Sequence, residues 1–381
     1  MNWRLLAIPA SIVPLLIMFL FTHVSLNDLF AVGLIPFIIS TSSVIGKIML
    51  QAFRFRYFIS KFIDHPVGST GEIMTARLGG EFVTQTTPSY VGGELVRIAW
   101  LTKKGVPVGK AAWVTTMEII ADVFVGSMLA FIAGGLAIYK GGTFIGTAVI
   151  LITIPTFVFW LLLVIFSAKR TLRLPNFSLR LMKKFIAREK AERIINTANT
   201  AIADLCIMSR ENFNSTGAIK TFAAGIAITF VAFLLQGFSF MVLADAVGSN
   251  IGLFDSLMAT SASTVLSNLP ITIGGSGLAE LGIWAYLLNL HNIPTFNDIA
   301  KDSQLSVIII WRIASYHVPL LVMWISLMKL TMGKDFQTKI NLPRISKPMP
   351  HNNDNVDNEN VSKSNDINDD KPIGDALDKK K

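Results

Sequence analysis

Arg97 and Arg312 lie in segments otherwise rich in apolar and small residues, where a guanidinium requires an anionic partner. Two kinds of anion fit. One is a phosphate, gripped by two N–H groups of the fork; the other is a carboxylate of the same chain, with Glu94, Glu118, Asp122 and Glu280 as candidates. Glu118 and Asp122 are four residues apart and so share a helix face, where two carboxylates repel unless a proton or Na⁺ sits between them or an arginine neutralises them. Ion coupling by H⁺ or Na⁺ and neutralisation by Arg97 or Arg312 are therefore both open, and snorkelling to the interface is a third outcome.

These groups are set among two similar breaks in the chain. The stretch 87–97 contains Pro88, Gly92, Gly93, Glu94 and Arg97, and the stretch 269–280 contains Pro270, Gly274, Gly275, Gly277 and Glu280. Each places a glycine pair four residues after a proline and a glutamate soon afterwards. Proline removes a backbone donor and glycine supplies positive φ, so each stretch reads as a sharp turn between two short apolar segments. The glycines either let helices approach closely or expose N–H groups at the start of the next helix, where an anion is favoured. His23, His65, His291, His317 and His351 have no metal-ligand spacing, and neither a Walker A sequence nor a Gly-x-Ser-x-Gly nucleophile occurs. No cofactor or metal is expected, and nothing specifies catalysis.

The elements that must position these residues are membrane-spanning. Over 381 residues, 52% are hydrophobic and only 15% charged, with a mean hydropathy of +0.54, which excludes an ordinary soluble domain. The net charge of +9 sits beside apolar runs, where topology and anionic lipid account for it better than nucleic acid does. Cys206 is the single cysteine, so no internal disulfide forms.

Along the chain, an uncleaved first span is expected at 5–22 with its N-terminus cytoplasmic. A second runs from 29 to about 45 and ends inside, before Lys47, Arg54, Arg56 and Lys61. Residues 71–101 carry Glu72, Arg77, Glu81, Glu94 and Arg97, too many charges for a lipid-facing helix, and the Gly-, Thr- and Ser-rich stretch 78–92 within them suits a re-entrant hairpin. Spans follow at about 111–138 and 144–167, then a basic cytoplasmic loop at about 168–217 with an amphipathic helix over 179–208. A further span covers 218–243, a second hairpin lies around Pro270, and the last span covers 305–328 with its end inside. The fold class is thus an all-α integral membrane protein of about six to eight transmembrane helices with two broken hairpins. Their opposite order around the two prolines is the pattern of an inverted repeat. The membrane domain covers 1–340, and 341–381 read as a disordered polar cytoplasmic tail.

On the residues from Thr87 through Glu94 and Arg97, on Glu118 and Asp122, and on Pro270 through Glu280, the chain resembles the lysylphosphatidylglycerol synthase transmembrane family. That family includes the flippase domain of the multiple peptide resistance factor, and the likeness covers about residues 1–335. In one place the sequence departs: Ile119 stands where the family often has arginine. The resemblance implies a cell-membrane lipid flippase or carrier. Arg97 and Arg312 would hold phosphate, Glu94 and Glu280 would position the head group, and Glu118 and Asp122 would set charge balance. Without a following aminoacyl-transferase domain, lysine transfer is not expected. Membrane lipids are the expected partners, with a cytoplasmic protein at the basic loop or tail as a further one. A membrane-embedded transferase acting on a lipid-linked phosphate is the rival reading.

Overall fold

The computed structural model describes residues 32–87, 92–169, 174–175, 177, 180–181, 183, 187–213, 215–269, 271–272, 274–288 and 305–332. The expected first span, Pro88, Pro270, much of the basic loop and the polar tail lie outside them.

Eleven α-helices are named here in chain order: α1 (Leu34–Phe62), α2 (Thr70–Gln85), α3 (Gly93–Lys103), α4 (Val108–Tyr139), α5 (Thr143–Lys169), α6 (Arg188–Phe213), α7 (Thr216–Ala246), α8 (Leu253–Ser267), α9 (Leu278–Leu287), α10 (Leu305–Arg312) and α11 (Val318–Met332). Among the described residues there is no strand. Five helical stretches are long and apolar enough to cross a membrane: α1, α4, most of α5, α7 and the run 305–332. That last run contains a π turn at Ile313–His317 between α10 and α11, where Val318 N–H reaches back to Ile313 O. The turn lies just before Pro319, whose ring would collide with the carbonyl four residues earlier in a regular helix; the wider turn relieves this.

The two expected hairpins are α2–α3 and α8–α9. Their arms measure roughly 24, 16, 22 and 15 Å at 1.5 Å per residue, short of the ~30 Å that a span needs. Ser69 and Glu72 form a capping box that fixes the start of α2.

The chain around each hairpin repeats a plan: a long helix, two short arms, a long helix. α1 and α7, the first helices of the two halves, pack along each other. Lys47 meets Gln236, Arg54 meets Thr229 and Phe58 meets Gly225, so numbers rise on one helix as they fall on the other and the pair is antiparallel. The halves then exchange partners. α2 of the first half packs on α11 of the second, and α8 of the second packs on α4 of the first. An inverted repeat accounts for this reciprocity. α5, carrying Pro155, has the highest hydropathy of the spans and little buried surface, as suits a peripheral, lipid-facing helix.

One expectation is corrected. The second span does not end near residue 45, because α1 continues to Phe62 and buries Ala52, Phe55, Phe58, Ile59 and Phe62 along one stripe. Arg54 is fully buried on that continuation rather than standing in an inner loop.

Candidate substrate site at the first hairpin

Glu118, about a third of the way along α4 on its buried face and only 1% exposed, is the hub of a charged cluster. Its Oε1 lies 3.1 Å from Arg77 Nε on α2 and 3.5 Å from Arg54 Nη2 on α1, while its Oε2 lies 3.3 Å from Arg97 Nε on α3. Three buried guanidinium groups thus converge on one carboxylate. Each has a further acid: Arg54 grips Asp122 with both Nη groups at 2.7 and 2.8 Å, Arg77 pairs with Glu81 one turn on, and Arg97 stands 3.7 Å from Glu94. Arg54 also donates to Thr229 on α7, and Gln85 donates to Glu81 at 3.0 Å. Elements α1, α2, α3, α4 and α7 are all needed to build this cluster. Among its arginines Arg97 is the least satisfied: it is 3% exposed, yet its Nη1 has no hydrogen-bond partner among the described residues.

The arms of the hairpin can meet here because glycine stands on both. Gly80 on α2 faces the carbonyl of Gly93 and the stem of Arg97, and a Cβ on Gly93 would overlap Thr84 Oγ1 and the carbonyl of Gly80. Gly92 caps α3 with φ +124°, and its N–H is taken by Glu94 Oε2 at 2.8 Å.

Residues 6–322 match a family model described as the lysylphosphatidylglycerol synthase TM region. The chain belongs to this family. It is a multi-pass membrane protein, as its spans and this membership agree. A UPF0104 membrane protein of Archaeoglobus fulgidus is 24% identical over 276 residues, which cover 71% of this chain and 78% of that relative.

In this member of the lysylphosphatidylglycerol synthase TM region family the second hairpin is arranged differently. Glu280 on α9 accepts the N–H of Gly277, a cap with φ +87°, at 2.6 Å, and its Oε1 lies 2.9 Å from Arg312 Nε. Arg312 also donates to the carbonyl of Gly274 and lies 4.3 Å from the centre of the Tyr316 ring. Tyr316, in the π turn, in turn donates to the carbonyl of Gln85 at 2.9 Å, joining the second hairpin's tip to the end of α2. Gly275, at φ +65°, continues the turn.

The site residues read from the sequence therefore divide into two groups. Glu94, Arg97, Glu118 and Asp122 come together with Gly92 and Gly93; Gly274, Gly277, Glu280 and Arg312 come together on the other side of Tyr316. Arg312 does not neutralise Glu118 or Asp122, because α10 presents it to Glu280; Arg54 takes Asp122 instead. Sequence reasoning missed Arg54 as a partner, because its charge was assigned to a loop. The signal was the apolar helical stripe that continues past residue 45. Arg77 and Glu81, four apart with opposite charge, were a second local signal.

Proposed function

We propose that the protein is a carrier that moves a lipid with a phosphate-containing head group between the leaflets of the cell membrane, without covalent chemistry. The observation that carries this is Arg97: a buried guanidinium in the second turn of a re-entrant arm, with an Nη1 that no described residue engages and carboxylates at 3.3 and 3.7 Å. A phosphate diester presents two oxygens at a spacing that suits this fork and would displace the loose contact to Glu94. Glu118 would then remain compensated by Arg54 and Arg77. A polar head can be desolvated in stages this way while its chains stay in the bilayer. The family, whose description names lysylphosphatidylglycerol synthase, supports a lipid with a phosphate head.

The test is reconstitution in liposomes with fluorescent phospholipids, scored by dithionite quenching. Wild type should accelerate equilibration, Arg97→Ala should lower that rate at least tenfold, and Arg97→Lys should fall between them, since a lysine keeps the charge but not the fork. Acceleration unaffected by Arg97→Ala would sink the assignment of the phosphate to Arg97. No acceleration by folded wild type would sink the carrier reading itself.

A further inference from the structure

We propose that Lys47 is a second binding residue for the lipid phosphate, at the midpoint of α1. This rests on the carrier reading for the identity of its ligand. Lys47 is the fourteenth of the 29 residues of α1, so the helix places its ammonium deep within the span, where a charge is costly and is retained when it has a partner to bind. Its protein partners are neutral. Nζ donates to Gln236 Oε1 on α7 at 2.5 Å and lies 5.8 Å from the centre of the Phe233 ring. Among the described residues no carboxylate lies within 4 Å of it, whereas Arg54, Arg77, Arg97 and Arg312 each have one. The acids on the neighbouring elements, Glu81 on α2 and Asp122 on α4, are already engaged by Arg77 and Arg54. An ammonium with three donors, one of them given to an amide oxygen, has two left for an anion, and a compact point charge suits a phosphate oxygen.

The position of Lys47 relative to the first cluster is a second observation. Lys47 and Arg54 are seven residues apart on α1, and Gln236 and Thr229 are seven apart on the antiparallel α7, so the pairs form a ladder about 10 Å long between the two helices. Its lower rung reaches Asp122 and Glu118; its upper rung is Lys47. Asp122, although in the middle of α4, keeps a side chain 34% exposed, so the lower rung of the ladder is not sealed inside the protein. A phosphate leaving the arginines of the cluster meets Lys47 as the next cation along α1.

Binding of short-chain phosphatidic acid and of the matching diacylglycerol to the full-length protein in detergent, followed by native mass spectrometry, tests this separately from transport. Lys47→Met should weaken phosphatidic acid at least tenfold, about 1.4 kcal/mol, Lys47→Arg should stay within threefold of wild type, and diacylglycerol should bind all three alike. Lys47→Gln, which keeps a polar contact for Gln236, takes the place of Lys47→Met with the same expected loss should the Met variant not fold. Undiminished phosphatidic acid binding by Lys47→Met or Lys47→Gln overturns the inference, as does an equal loss for diacylglycerol, which would mark a general packing defect. Displacement of the lipid by millimolar inorganic phosphate would reassign the site to a free anion and overturn the lipid assignment. The expected binding pattern in a protein that does not accelerate lipid equilibration would leave Lys47 a lipid-phosphate site and refute the carrier reading alone.

Discussion

The two hairpins share a skeleton and differ in charge. Both consist of two short arms, both begin the second arm at a glycine with positive φ, and in both a glutamate just inside that arm accepts the glycine's own N–H. The first hairpin adds Arg77, Glu81 and Arg97 and meets Arg54, Glu118 and Asp122, whereas the first arm of the second is built from small residues. Its Thr260, Ser261, Thr264 and Ser267 return their hydroxyls to their own helix; its buried ion pair is Glu280 with Arg312, and Asp255 pairs with Lys140 at the exposed start of the arm. The repeat thus specifies a backbone twice and a charged cluster once. The carrier reading proposed above assigns the substrate to the first hairpin and leaves the second as its structural counterpart.

The largest expected effect tests that asymmetry. Glu118→Ala leaves three buried guanidinium groups facing one another without their common carboxylate, and breaking a buried ion network from one side costs about 3–5 kcal/mol. Glu280→Ala uncovers one buried guanidinium rather than three, and Arg312 keeps the Gly274 carbonyl and the face of Tyr316, so the lower end of that range, about 3 kcal/mol, is expected. Thermal unfolding of the two variants in detergent measures the difference. Equal losses would mean that the second hairpin carries as much buried charge coupling as the first.

The backbone plan was more legible in the sequence than the cluster. Hydropathy found α4, α5, α7 and the run 305–332 to within a few residues, and Pro-x-x-x-Gly-Gly found both breaks, because length and breakers are local properties. Arg54 was not legible as a partner: charge beside an apolar run was read as a topological marker, and only the packing of α1 on α7 shows that the helix continues and turns Arg54 inward. Tyr316 could not be found either, since its partner Gln85 is 231 residues away. The role of Glu94 and Glu280 as caps is available locally, in the short spacing from glycine to glutamate.

A second pair of variants isolates what the hairpins have in common. A Cβ at Gly93 meets Thr84 and Gly80 across α2 and α3; one at Gly282 comes within 2.7 Å of Ser263 Cα across α8 and α9. Both arms must separate to admit a methyl group, so Gly93→Ala and Gly282→Ala should each cost about 1–3 kcal/mol in the same unfolding measurement. Similar losses would support one packing scheme used twice. A loss confined to Gly93→Ala would make the close approach a feature of the charged hairpin alone.

The smallest effect expected concerns the tie between the halves. Tyr316→Phe keeps the ring under Arg312 and removes the hydroxyl that bonds Gln85 O, a loss of about 0.5–1.5 kcal/mol. The last carbonyls of α2 have no partner within their own helix, so the lost bond is felt there first. Hydrogen–deuterium exchange should therefore quicken at the end of α2, around Thr86 and Thr87, and leave α8 and α9 unchanged. Faster exchange in both hairpins would show that Tyr316 holds the second tip as firmly as the first and that the halves move together. No change in either would mean that α11, which packs along α2 through Leu327 and Gly79, fixes the first hairpin without the tyrosine.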